Sequence, residues 1–346
     1  MSGSILTSVG SRIFSLNTIH TYFFFILMFS GGLMCSSCTD LFTGWVGMEV
    51  MLLCFFPVVL KHHMPWLSVL GCVNYFVIQV IGSNLYFVSS CFMSAFDSKH
   101  WMISILLALF LKLGMFPFSF WVPKVYSSLE WGGCLMVSVW QKYGPLFIMA
   151  NNYLNQKFWW LVTLSGVLSV WIGGMLGVTV NSVRVLMGWS SVCHAGWMAI
   201  LTLTSEWILL LYFLTYALIC TALFSMFELT GLMNFSSFAY YSQTTRACLC
   251  LGLLSMAGVP PLSGFFLKWV GLLSLIESGF ELISLALIMG SGMSALLYMN
   301  LVFTLSVHSW AMSLSYPITT PMWEAGDYIR MFILIFMFPF LFFFLN

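Results

Sequence analysis

Three charged side chains, Glu49, Lys112 and Lys142, stand in the middle of apolar stretches of this sequence, and Lys268 lies deep in another that restarts after Pro261. Placing a charge at mid-membrane depth costs roughly 2.5–3.5 kcal/mol on insertion scales, so each needs a reason to be there. One reason is packing, with Glu49 neutralising a lysine. Another is snorkelling of a lysine to the headgroups. Snorkelling suits Lys124 and Lys157 near span ends, but not Lys112 and Lys142, which have about ten mainly apolar residues on either side. The residue types say more. Arginine keeps its proton, whereas a desolvated lysine can release it. The deep positions use Lys and Glu and never Arg, which suits a proton relay better than a fixed counter-charge. His194, in WSSVCHAGWMAI, is the one histidine within a span, and reads either as a packing residue or as a further relay member.

The elements that must position these groups are transmembrane helices. The chain is 61% hydrophobic and 6% charged over 346 residues. A soluble domain is roughly 25% charged, so lipid must form part of the solvent here. A span needs about 20 mainly apolar residues. Such runs lie near 21–38, 41–60, 67–93, 101–121, 130–151, 158–178, 183–203, 207–230, 247–272, 279–305 and 329–346. The expected fold is an all-α integral membrane protein of about 11 transmembrane helices in a single polytopic domain over residues 1–346. The interval 306–328, with His308, Pro317, Pro321, Glu324 and Asp327, reads as the only extended loop.

Two spans are interrupted. The fourth carries Gly114 and Pro117 in LKLGMFPFSFWVPK, and the ninth carries Gly258, Pro260, Pro261 and Gly264 in LLSMAGVPPLSGFFLKW. Proline removes an N–H and clashes with the preceding turn. Broken backbone is tolerated at membrane depth only inside protein or along a wet cavity. Each broken helix is the fourth of a group of five spans, about 21–151 and about 158–305, with a final helix at about 329–346. An odd repeat inverts when duplicated, so two inverted five-helix repeats, each with a discontinuous fourth helix, are expected.

Loop charges orient the chain. The side of the N-terminus holds six cations, Arg12, Lys61, Lys124, Arg184, Arg246 and Arg330, against Lys99 and Lys157 on the other. This places the N-terminus on the cytoplasm-like side, the matrix in a mitochondrion. The start of the chain does not read as a cleavable signal.

Other chemistries find little support. The net charge of +1, with no basic run, argues against nucleic acid. The ten cysteines are scattered, and the one close pair, Cys35 and Cys38, has no histidine beside it, so they read as packing residues and no metal site is expected. There is no phosphate-binding loop, dinucleotide fingerprint, nucleophile elbow or iron–sulfur cysteine cluster.

The segments LKLGMFPFSFWVPK, QKYGP at 141–145, SSVCHAGWM at 190–198 and AGVPPLSGFFLKW, in this order along nearly the whole chain, resemble the antiporter-like subunits of mitochondrial NADH:ubiquinone oxidoreductase, respiratory complex I, and among them the subunit 2 family. The eleven-span length is similar to the animal form. The resemblance implies a core subunit that translocates protons across the inner mitochondrial membrane, with no redox group of its own. It implies a relay through Glu49, Lys112, Lys142, His194 and Lys268. NADH, FMN, iron–sulfur clusters and ubiquinone are implied in partner subunits, and other membrane-arm subunits, accessory subunits and lipids as partners. The sequence departs from the family at Lys124, where an acidic residue commonly follows WVP. The alternatives are an Mrp-type cation/proton antiporter and a scaffold subunit whose charges only lock assembly.

Overall fold

A computed structural model describes residues 21–60, 65–95, 99–151, 157–231, 243–260 and 262–312. Every described element is a helix, as a bilayer requires of a chain whose backbone groups must be satisfied internally. In chain order they are α1 (Thr21–Ser36), α2 (Leu41–Val59), α3 (Trp66–Ala95), α4 (Lys99–Leu113), α5 (Trp121–Ser128) and α6 (Trp131–Leu135). A π-helical turn at Met136–Trp140 follows, then α7 (Gln141–Asn151), α8 (Trp159–Val178), α9 (Val183–Leu201) and α10 (Glu206–Thr230). The last are α11 (Gln243–Ala257), α12 (Ser263–Glu277) and α13 (Glu281–Met312).

Five of these, α2, α3, α8, α10 and α13, are each long and apolar enough to cross a bilayer. The expected fourth and ninth spans are split, into α4 with α5 and α11 with α12. The expected eleventh span at 329–346 lies outside the described residues, as do Pro261, Arg12, Lys61 and Arg330. One boundary differs from expectation. Helix α13 runs to Met312, into the interval read as loop, because nothing in LSVHSWAM breaks a helix before Pro317.

The core is organised around α9, buried at almost every position from Val183 to Leu201. It packs against α8, α5, α10, α13 and α7. The contact with α8 is made by small residues: a Cβ on Gly196 would stand 2.6 Å from the Gly166 carbonyl oxygen, so the backbones meet directly. Gly173, also on α8, lies against Cys193 in the same way.

The two breaks share one local structure. Helix α4 ends with Gly114 at φ +70, whose N–H bonds the Leu111 carbonyl while the Met115 N–H bonds that of Phe110. Helix α11 ends with Gly258 at φ +82, whose N–H bonds the Ser255 carbonyl while the Val259 N–H bonds that of Leu254. Both are Schellman caps, in which a left-handed residue satisfies the last helical carbonyls. An L side chain is strained in that conformation, which is why glycine occupies both positions.

Candidate functional site

Lys112 sits in the last turn of α4 and is 5% exposed. Its stem lies along Gly82 of α3, where a Cβ would stand 3.0 Å from the lysine Cγ. The Lys112 carbonyl, left free by the helix end, accepts the Gln79 amide at 3.2 Å. Glu49 is half-buried on α2, one turn beyond Trp45, which meets Phe87 of α3 at 4.7 Å between ring centroids. Its Oε1 is buried without a hydrogen-bond partner. The lysine that Glu49 approaches is Lys112: the carboxylate is within electrostatic range of the ammonium, and no direct ion pair joins them.

Beside Lys112 is a cavity of about 10 Å³, lined in part by Met51, Gln79, Lys112, Gln141 and Pro145. That is room for about one water. The Gln141 amide donates to the Met51 carbonyl at 2.9 Å. The cavity thus runs from Lys112 to the residue immediately before Lys142.

Lys142 is 3% exposed at the start of α7, directly after the π turn. Its Nζ donates to the Ser191 carbonyl of α9 at 2.5 Å, and Cys193 and Cys220 lie within electrostatic range. His194 is one turn further along α9 and buried. Its Nδ1 is hydrogen-bonded to the Tyr212 hydroxyl at 3.0 Å, and its ring lies tilted by 35° against Tyr216 at 4.8 Å between centroids. Lys142 and Lys268 are both close enough to His194 to act on it electrostatically.

Lys268, 8% exposed on α12, turns back to the break. Its Nζ donates to the Ala257 carbonyl at 2.6 Å, the end of α11, and its stem lies against Gly258. A cation there faces the negative end of the half-helix dipole. The two breaks therefore hold their lysines differently, Lys112 before the first interruption and Lys268 after the second.

The five residues singled out from the sequence thus fall into two groups, Glu49 with Lys112 and Lys142 with His194 and Lys268; the cavity beside Lys112 reaches Gln141, the residue before Lys142. Lys124 and Lys157 are exposed, as are Glu228, Glu277 and Glu281 near helix ends. Of the interruption residues, Gly114 and Gly258 form the caps, while Pro117 and Pro260 lie in the segments between half-helices. Sequence reasoning passed over the buried hydroxyls. Tyr126 is fully buried with its hydroxyl beside Ser138 and Ser191. Tyr298 faces Ser190 in the same way. A usable signal was the spacing of Tyr212 and Tyr216, four residues apart on one face of an apolar span.

Comparison with known proteins bears on the family and the fold. Residues 38–294 match the family described as NADH:quinone oxidoreductase/Mrp antiporter, TM. NADH-ubiquinone oxidoreductase chain 2 of Lumbricus terrestris is 32% identical over 270 residues, covering 75% of this chain and 79% of its own. The chain of the same name in Oryzorictes hova is 29% identical over 307 residues, covering 84% and 87%. A chain of respiratory complex I from Thermus thermophilus with bound aureothin superposes with a TM-score of 0.77 at 19% identity, covering 92% of this chain and 77% of that one; a likeness at that identity speaks for the fold. The chain belongs to the NADH:quinone oxidoreductase/Mrp antiporter family of membrane proteins, within its NADH-ubiquinone oxidoreductase chain 2 group.

Proposed function

We propose that this chain is a proton-translocating subunit of the membrane arm of respiratory complex I, working in the inner mitochondrial membrane with its N-terminus on the matrix side. Glu49, Lys112, Lys142, His194 and Lys268 form its relay. The observation that carries the reading is the burial of three lysines and a histidine in one helix bundle, with Lys142 and Lys268 held by backbone carbonyls. A scaffold that used charges to lock helices together would pair them with carboxylates, since an unpaired buried charge is destabilising. A relay needs the opposite: groups held lightly enough to exchange a proton. The Mrp-type antiporter is less favoured, because the curated relatives that match most of the chain carry the complex I name.

NADH, FMN, the iron–sulfur clusters and ubiquinone belong, on this reading, to other subunits of the complex. This chain's neighbours are other membrane-arm subunits, accessory subunits and lipid. Its two five-helix groups, about 21–151 and about 158–305, are inverted repeats with the final helix after them. The interruption of the fourth span of each group, with a left-handed glycine at Gly114 and at Gly258, supports that relationship.

The test is Lys142→Ala in the assembled complex. Pumping per electron and NADH:ubiquinone turnover should fall, while NADH oxidation by artificial acceptors continues, since that step needs only redox centres in other chains. Wild-type pumping in the assembled variant would remove Lys142 from the path. Failure to assemble, without a coupling defect in what does assemble, would favour the scaffold.

A further inference from the structure

A groove with about 280 Å³ of free space opens beside the first break. It is lined by Ile78 and Ile81 of α3, Leu111 of α4, Phe118 and Phe120 of the interruption, and Trp121 at the start of α5. Ile81, Phe118 and Phe120 are exposed along it. The one polar side-chain atom in this lining is already used: the Trp121 Nε1–H donates to the Leu111 carbonyl at 3.1 Å. These side chains therefore leave a water nothing to bond, and a site without polar partners does not hold water. The groove suits an apolar occupant.

Polar groups stand just past one end of it. Helices α3 and α5 pack antiparallel: a Cβ on Gly71 would stand 2.1 Å from the Ser128 Oγ, and the rings of Tyr75 and Trp121 lie 5.8 Å apart. Asn74 falls between Gly71 and Tyr75, and Lys124 between Trp121 and Ser128, so the two share a level, outside the lining and one turn beyond it. Asn74 is exposed on the face of α3 that carries Ile78 and Ile81, four and seven residues further on. Lys124 is exposed three residues after Trp121 and four after Phe120, on the same face of α5. Its long apolar stem lets the ammonium reach toward the headgroups. Trp121 also covers the break itself, since a Cβ on Gly114 would stand 3.2 Å from its ring. Whatever fills the groove therefore presses on the side chain that ties α5 to the end of α4.

We propose that this groove holds one acyl chain of an anionic phospholipid, whose phosphate accepts from the Lys124 ammonium and the Asn74 amide. The lipid named above as a neighbour thereby gains one place and one charge class. The site requires that the chain spans a bilayer and does not depend on the relay. A phospholipid matches the order of groups along the helices: an anion at the level of Lys124 and Asn74, then hydrocarbon beside Ile78, Ile81 and Phe118. A transmembrane helix of a partner would have to bring a carboxylate to the level of Lys124, at the insertion cost that acidic side chains carry within a span. A lipid anion reaches the interface without that cost, and basic groups near the membrane surface attract anionic lipid.

The test uses the assembled complex in phosphatidylcholine vesicles. One probe is phosphatidylglycerol with a diazirine near the end of an acyl chain; the other is phosphatidylcholine with the same chain. Adducts formed on irradiation are mapped by peptide mass spectrometry. The expected result is adducts at Ile78, Ile81 and residues 118–121, more from phosphatidylglycerol than from phosphatidylcholine. Lys124→Gln should lower the phosphatidylglycerol adducts about fivefold, the factor that one lysine near a lipid surface contributes, and leave those of phosphatidylcholine unchanged. Lys124→Arg should keep the preference. Ile81→Trp, which fills the groove from an exposed position, should lower the adducts of both probes. Equal labelling by the two probes in the wild type, or phosphatidylglycerol labelling that survives Lys124→Gln, would mean that bulk lipid merely bathes the groove, and would overturn the proposal. Absence of adducts from both probes would mean that a partner subunit covers the groove, and would overturn it as well. Pumping enters none of these readouts, so a failed lipid site leaves the relay standing, and normal pumping in Lys142→Ala leaves the lipid site standing.

Discussion

A lysine ammonium has three N–H donors, and at Lys142 the protein carbonyl of Ser191 takes one of them. This incomplete solvation separates a relay lysine from a structural one, and Lys142→Arg tests the difference. Arginine keeps the charge but holds its proton throughout. A relay should lose pumping per electron in Lys142→Arg, much as in Lys142→Ala, while a counter-charge role would be rescued by arginine; proton uptake measured against electron flux in the assembled variant decides. The deep charges were legible in the sequence because a charge inside an apolar run is costly at mid-span and needs a reason, whether packing or a relay. The tyrosines were not. Tyr126 and Tyr298 have apolar rings that read as core, and only the structure shows their hydroxyls turned toward serines of α9. Nor did the sequence show that Glu49 and Lys112 interact at a distance without forming an ion pair.

At the scale of the element, the two broken helices were legible from glycine and proline spacing, but the reason for each glycine was not. Gly258 is needed for its left-handed φ and for the lysine behind it, since a Cβ there would stand 2.9 Å from Lys268 Cδ. Gly264 has a different constraint: a Cβ on it would stand 1.6 Å from the Ser255 carbonyl oxygen, so α12 starts directly against the backbone of α11. The two alanine variants should therefore fail differently. A non-glycine residue in the left-handed region costs roughly 1–2 kcal/mol, which a bundle can absorb, so Gly258→Ala should assemble with Lys268 displaced and pumping reduced. Gly264→Ala forces backbone apart, beyond the roughly 1–3 kcal/mol of ordinary overpacking, and should deplete the assembled complex on a native gel. Equal assembly of both variants would mean that α12 can shift at little cost. The π turn at Met136–Trp140 had no sequence signal, because MVSVW differs from an α-helical turn only in which carbonyl each N–H reaches. Its place directly before Lys142 fits the association of such turns with functional sites.

For the whole molecule, the inverted repeat makes a claim about direction that side-chain geometry does not touch. On the proposed arrangement the two broken helices are five spans apart in chain order, and an odd number of crossings reverses direction, so that arrangement requires their far ends to open on opposite sides of the membrane. Lys124, on α5, and Glu277, at the end of α12, mark those far ends, and both are exposed. The charge-based orientation proposed above would put Lys124 on the cation-rich, matrix-like face. Lys124→Cys and Glu277→Cys, each in assembled complex within sealed membranes of known sidedness, can be labelled with a charged thiol reagent from one face at a time. The expected outcome is labelling of Lys124→Cys from the matrix side alone and of Glu277→Cys from the opposite side alone. Labelling of both from one face would mean an even number of crossings between them. The shared Schellman caps, like the one at Gly279 that ends α12, would then be a local solution and not the mark of a duplicated, inverted unit. Opposite labelling with the sides exchanged would preserve the inversion but overturn the charge-based orientation, leaving Lys99 and Lys157 on the matrix face against the six cations opposite.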